Sequence, residues 1–144
     1  MNRISAIALL SFASLATCTG AIGQEHALQA NIPFAFTVGD TWMPAGEYTI
    51  TSLSQGILML RSADSTKSAS IVSLQGHSES PSGSELVFDR YGNQYFLRHV
   101  LCPTLVSLNR DLPQGKAEKQ AHARSLEANV RNPEQTLIAA RYGR

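Results

Sequence analysis

The sequence predicts an all-β protein: a small antiparallel β-sandwich or barrel of about seven strands with a C-terminal helix. Three observations carry this expectation. In Asn31 to Val38 the apolar residues Ile32, Phe34, Phe36 and Val38 occupy every second position, the period that lines one face of a strand. Glu85 to Arg90 and Gln94 to Leu101 flank Tyr91-Gly92-Asn93, and Gly and Asn tolerate positive φ at the lowest cost, so the pair reads as a hairpin. Lys116 to Asn129 is rich in Ala, Glu, Lys, Gln and Arg without Gly or Pro, which favours a helix.

The remaining elements follow in chain order. Gly39-Asp40 ends the first strand, and Met43-Pro44-Ala45-Gly46 places Pro second and Gly fourth, as a type I turn prefers. Glu47 to Leu53 resumes with Tyr48 and Ile50 alternating, and Gln55-Gly56 breaks the chain before Ile57 to Arg61, a short apolar run suited to a strand buried on both sides. Ser62 to Lys67 is a polar turn, and Ser68 to Leu74 carries the β-branched Ile71 and Val72 of another strand. The Ser-rich stretch from Gly76 to Glu85, with Pro81 and Gly83, reads as an exposed loop. In the hairpin, Leu86 and Phe88 share a face, while Tyr95, Leu97 and His99 alternate against Phe96, Arg98 and Val100. Bulky groups on both faces place it centrally. Pro103 ends its second strand, Thr104 to Leu108 offers one more, and Asn132-Pro133 stops the helix before a terminal strand in Gln135 to Ala140.

Composition narrows the setting. With 144 residues, 12 Lys+Arg and 11 Asp+Glu, the chain has the size of one domain and no charge excess of the kind that marks a nucleic-acid surface. Arg3 precedes an uncharged apolar stretch from Ile4 to Ala16, and Ala21-Ile22-Gly23 supplies small residues for a peptidase, so residues 1–23 read as a signal peptide. About 13 apolar residues span only about 20 Å of a ~30 Å hydrocarbon layer, which argues against a retained transmembrane helix. Cleavage after Gly23 makes Gln24 the first mature residue and Cys102 the only thiol. The alternative is Leu15-Ala16-Thr17-Cys18, which looks like a lipobox and would put a lipid anchor on Cys18, with Thr17 departing from the usual small residue. A lone Cys102 in an exported chain also raises a disulfide dimer through that residue.

The blocks Pro33-Phe34-Ala35-Phe36-Thr37-Val38-Gly39-Asp40, Pro44-Ala45-Gly46-Glu47-Tyr48 and Leu86-Val87-Phe88-Asp89-Arg90-Tyr91-Gly92-Asn93-Gln94-Tyr95-Phe96-Leu97 resemble those of a group of small exported bacterial proteins without known activity. The shared pattern is PFxFxVGD, PAGxY and LVFxRYGxxYFL, and it covers most of Ile32 to Pro113. The resemblance implies a fold and an exported location. It implies no catalytic residue. An aromatic residue often stands near Leu101-Cys102 in that group, so Cys102 departs from the pattern.

Residues able to carry chemistry are few. His99 lies three residues before Cys102, an odd separation that points the two to opposite faces of a strand, so they do not form a nucleophile and base. His77 and Glu79 could face one way with His99 or Cys102 completing a metal site, but no C-x-x-C or H-x-x-x-H spacing supports it. Neither a nucleophile elbow, a P-loop nor a dinucleotide fingerprint is present. Glu47, Glu85 and Asp89 read as solvated carboxylates near strand ends. Trp42, Tyr48, Tyr91, Tyr95 and Phe96 either pack in the core and hairpin or line a sugar or lipid pocket at a barrel mouth. Lys116, Lys119, Arg124 and Arg131 give the helix a basic face that Glu118 and Glu127 dilute.

The expected organisation is therefore a signal peptide (1–23), a β-domain (24–109) and a basic helical extension with a possible terminal strand (110–144). The expected role is a non-catalytic, cofactor-free binding or structural module of the cell envelope, periplasmic or secreted, with an envelope protein or glycan as partner. The alternatives are a β-barrel holding a small apolar or sugar ligand, and an envelope hydrolase. They differ in what they require: no deep pocket, an apolar cavity, or clustered titratable groups with shifted pKa values.

Overall fold

The computed structural model describes residues 26–77, 83–130 and 132–143. The signal peptide, Cys18 and the cleavage site lie outside the described residues. Among the described residues there are twelve short strands and one α-helix: β1 (Ala27–Ile32), β2 (Phe36–Val38), β3 (Thr41–Met43), β4 (Gly46–Ser54), β5 (Ile57–Ser62), β6 (Ser68–Val72), β7 (Leu74–Gln75), β8 (Glu85–Tyr91), β9 (Gln94–Leu101), β10 (Arg110–Asp111), α1 (Lys116–Glu127), β11 (Glu134–Ala139) and β12 (Arg141–Gly143). One sheet has the order β12-β1-β4-β5-β6, the other β11-β8-β9-β10-β7, with the β2–β3 hairpin set against β9 through a parallel contact between Thr37 and Phe96.

The strand number exceeds the expected seven because single stretches of sequence serve both sheets. The run Asn31 to Val38 is not one strand. It breaks after Ile32, where Pro33 offers no N–H to a ladder, and β1 and β2 fall in different sheets. Ile32, Phe36 and Val38 are buried all the same, and half-buried Phe34 stacks on Tyr95 at 3.9 Å between ring centroids. Ser68 to Leu74 likewise divides at Ser73, whose N–H donates to Gly56 O at 2.7 Å, and β11 passes into β12 at Ala140. The order of one sheet thus continues through these two corners into the other, and segments that switch sheets close the sandwich at both sides.

Between the sheets lies one core, in which Leu28, Phe36, Tyr48, Leu58, Phe88 and Leu97 are among the fully enclosed side chains. Phe36 sits edge-on to both Tyr48 and Phe88, at 5.2 and 5.4 Å, the geometry that aromatic quadrupoles prefer. Tyr48 donates its hydroxyl to Pro44 O at 2.5 Å, tying the strand to the bend that precedes it. In β5 only Leu58 and Leu60 are fully buried, so the strand is covered on one face rather than two. Thr104 to Leu108 forms no strand: Val106–Leu108 is a 3-10 turn.

The β8–β9 hairpin is central, as expected, and Gly92 at its tip takes φ +64°. A bulge shifts the register between Val87 and Phe88, pairing Phe88 with Leu97 but Val87 with His99 and leaving Arg98 as the extra residue. The bulge inverts the alternation beyond it. Val100 and Cys102 therefore join the core with Leu97, whereas His99 leaves the face it was expected to share with Tyr95 and Leu97.

The outer face of this hairpin carries α1, which buries Ala121 against Tyr91 and Phe96. Its N-terminus abuts Gly115, which adds no side-chain cap. Asp40 takes that role from the β2–β3 turn: its Oδ1 accepts from the N–H groups of Lys116 and Ala117 at 2.7 and 3.3 Å. Residues 110–144 thus supply three strands and a covering helix; β11 falls on the strand expected in Gln135 to Ala140, and β12 follows it as the last strand.

Candidate functional site

Two places gather polar groups. The first is a groove of about 480 Å³ at the β11–β12 corner. β12 pairs with β1 only over Ala27–Gln29. Beyond Arg141 the chain turns away at Ala140, whose N–H donates to Ser84 O at 2.8 Å, and continues in the other sheet. At this corner Gln29, Asn31, Glu47, Thr49 and Arg141 line the groove beside Ala30, Ala63, Ile138 and Ala139. The side chains of Gln29, Asn31, Glu47 and Arg141 have no hydrogen-bond or ion-pair partner among the described residues. Behind them the frame is fixed, with β1 paired to β4 along Ala27–Ile32 and Glu47 O accepting from Ala63 N at 2.9 Å.

The second place is beneath α1. Glu118, expected on the solvated face of the helix, is only 2% exposed, and Asp89, expected near solvent, is 8% exposed. Arg98 reaches both: its Nε lies 3.6 Å from Asp89 Oδ2 and 3.5 Å from Glu118 Oε1, while its Nη1 donates to Leu112 O at 2.6 Å. Gln114 donates to Glu118 Oε1 at 3.4 Å. Burial pushes the Glu118 carboxyl up to about 7, with the Asp89 charge adding to the rise and Arg98 opposing it. Tyr91 beside this group is also raised, first by burial and then by the charges of Glu118 and Asp89. Asp89 Oδ1 and Arg98 Nε make no hydrogen bond among the described residues, so the cluster is held by charge more than by hydrogen bonding.

The other candidates disperse. Cys102 is buried at 1% exposure, with its Sγ 3.6 Å from the Ser84 hydroxyl and 3.5 Å from that of Thr104. A disulfide to a second chain, expected from an exposed thiol, does not fit that burial. His99 Nδ1 pairs instead with Asp111 Oδ1 at 2.7 Å, across the β9–β10 register. His77 is exposed, Glu79 lies outside the described residues, and among the described residues no three His, Cys, Asp or Glu side chains converge on a metal position. The aromatic candidates separate into the core (Tyr48), the Phe34 stack (Tyr95) and the underside of α1 (Tyr91 and Phe96, 5.9 Å apart). Trp42 stands apart from them at 59% exposure. Lys116, Lys119 and Arg124 are exposed on α1, and Arg131 lies outside the described residues.

Sequence reading missed both places, for different reasons. The groove is assembled from β1, β4 and the β11–β12 corner, which no local pattern relates. The cluster did leave a signal: Asp89 follows the apolar run Leu86-Val87-Phe88 and Arg98 the run Tyr95-Phe96-Leu97, with opposite charges. Among the described residues no helix is long and apolar enough to cross a membrane. Compared with protein-family models, curated proteins and solved structures, the chain matches none.

Proposed function

We propose that this chain is an exported, non-catalytic binding or structural module of the bacterial cell envelope that engages its partner at the protein surface. The observation that carries the reading is the contrast between a filled interior and an unpartnered polar groove. Phe36, Tyr48, Phe88 and Phe96 are fully buried within the packing, so a ligand inside the barrel would have to displace core side chains. The groove, by contrast, offers side-chain hydrogen-bonding groups at Gln29, Asn31, Glu47 and Arg141 that nothing among the described residues uses. Arg3, the apolar Ile4 to Ala16 and the small residues before Gln24 support export, and the three sequence blocks support membership of the exported group they resemble.

The hydrolase alternative draws on a single observation, the raised Glu118 carboxyl near Asp89. Arg98 occupies both carboxylates and α1 covers them, which suits a structural duty better than turnover.

Native mass spectrometry of the protein released from its producing cells, with and without reductant, tests the proposal. The expected species is Gln24–Arg144 carrying a non-covalent partner that Glu47→Gln or Arg141→Gln removes. A partner retained by both variants would overturn it, whereas lipid mass at Cys18 would replace the Gln24 N-terminus and leave the envelope reading standing.

A further inference from the structure

The corner groove has a composition that narrows what it can hold. It presents one carboxylate, Glu47, and one guanidinium, Arg141, neither engaged by another side chain among the described residues. Gln29 and Asn31 add two carboxamides, each able to donate and accept at once. Ala30, Ile138 and Ala139 add apolar lining. Such a set matches a ligand with one positive end, one negative end and amide groups between them. Arg recognises a carboxylate through paired, charge-assisted hydrogen bonds, and a carboxylate accepts in the same way from an ammonium. A carboxamide side chain can accept from the N–H and donate to the C=O of one residue, which point to the same side of an extended peptide.

A neutral saccharide fits less well. It would cover both charges while neutralising neither, and charges taken from water without an opposite partner are costly. A purely anionic or cationic ligand would satisfy one charge and oppose the other. At about 480 Å³ the groove falls in the range of small-ligand sites.

We propose that the corner groove is a peptide-binding site for a short peptide with free termini, its ammonium at Glu47, its carboxylate at Arg141 and its amides on Gln29 and Asn31. This rests on the surface-binding reading above and gives that reading a ligand class. The backbone frame is preformed by the β1–β4 ladder and the Ala63-to-Glu47 bond, so only exposed side chains need to settle on the ligand.

The test is an amide NMR titration of isotope-labelled Gln24–Arg144 with trialanine, with trialanine acetylated and amidated at its ends, and with a neutral chitin trisaccharide. Trialanine is expected to shift the amides of Gln29, Asn31, Glu47 and Arg141, and capping its ends to weaken binding about tenfold. Glu47→Gln and Arg141→Gln change exposed, unpartnered side chains. Each is expected to lose about tenfold in affinity with an otherwise unchanged spectrum. Capped and free peptide binding equally would overturn the proposal, because the charges would then read nothing. Shifts of the groove amides by the trisaccharide and not by trialanine would overturn the peptide class while leaving surface binding standing. A groove silent to all three probes would overturn the site itself, and the mass spectrum would then decide the wider reading alone.

Discussion

Replacing Glu118 by Gln should remove a pH dependence of stability that the buried carboxyl imposes. In the unfolded chain this group titrates near 4.5, and in the folded protein near 7. A raised carboxyl means that the folded state binds the proton more tightly. Below 4.5 both states are protonated, and the stability linked to this group is complete. Between 4.5 and about 7 the unfolded chain gives up the proton while the folded one keeps it, and stability falls by about 1.4 kcal/mol per pH unit. Above that window the loss levels off at about 3 kcal/mol. Gln keeps the volume and the hydrogen-bonding edge but cannot ionise, so its folded state resembles the protonated wild type at every pH. Urea unfolding of both proteins at about pH 5, 6, 7 and 8 measures the difference, in which the titration of all other groups cancels. The variant should gain about 2.5 kcal/mol on the wild type from the acidic to the alkaline end of that series. A difference that stays constant would refute the burial and charge argument for Glu118.

Three further outcomes are expected. Gly115→Ala would drive a Cβ into the carbonyl of Gly39 and to 2.7 Å from Asp40 Oδ1, so α1 must shift off the β2–β3 turn; the urea midpoint should fall by the equivalent of about 1–3 kcal/mol, against about 1 kcal/mol for Asp40→Ala, which loses only the cap. An equal or smaller loss for Gly115→Ala would mean that the approach of the two segments is looser than described. Arg98→Met leaves Asp89 and Glu118 buried beside each other without their cation, and at neutral pH should cost about 3–5 kcal/mol, less in acid where Glu118 holds its proton; a variant as stable as the wild type at neutral pH would show that the cation is not needed. Cys102 should resist a thiol reagent in native buffer and react on denaturation, since its sulfur is enclosed; rapid labelling of the native protein would contradict that burial.

Much of the fold is legible because alternation is a local property. Ile32, Phe36 and Val38 carry the period of two whichever sheet they enter, and their burial follows from it. What alternation does not encode is the partner strand. The chain changes sheets at Pro33, Ser73 and Ala140, so the strands read in Asn31 to Val38 and Ser68 to Leu74 each divide, and the one read in Gln135 to Ala140 is followed by a further strand, β12, in the other sheet. The bulge at Arg98 adds one residue and reverses every side chain after it, which is why His99 and Val100 exchanged faces relative to the simple pattern. The helix was readable from propensity, its anchoring was not. Asp40 caps it from 76 positions away, and Glu118 looks like any surface glutamate until Arg98 and Asp89 are seen beneath it.

The three sequence blocks acquire a physical meaning from this arrangement. In the first, Pro33 makes the corner between sheets, Phe34 and Phe36 fill the aromatic cluster, Gly39 supplies positive φ and Asp40 caps α1. In the second, Tyr48 bonds back to Pro44 across the bend. The third is the central hairpin with its Gly92 tip. Almost every specified position in these blocks thus has a task in holding the fold. The position left open in the second block is Glu47, and Gln29, Asn31 and Arg141 lie outside all three. A scaffold fixed by packing and capping, with a groove built from the positions that packing does not use, is the division expected of proteins that share a fold and differ in what they bind. Exchanging residues 29, 31, 47 and 141 should therefore change ligand preference while leaving the urea midpoint nearly unmoved, because none of these side chains has a hydrogen-bond or ion-pair partner among the described residues. A large loss of stability on that exchange would place the groove residues in the scaffold and remove the distinction.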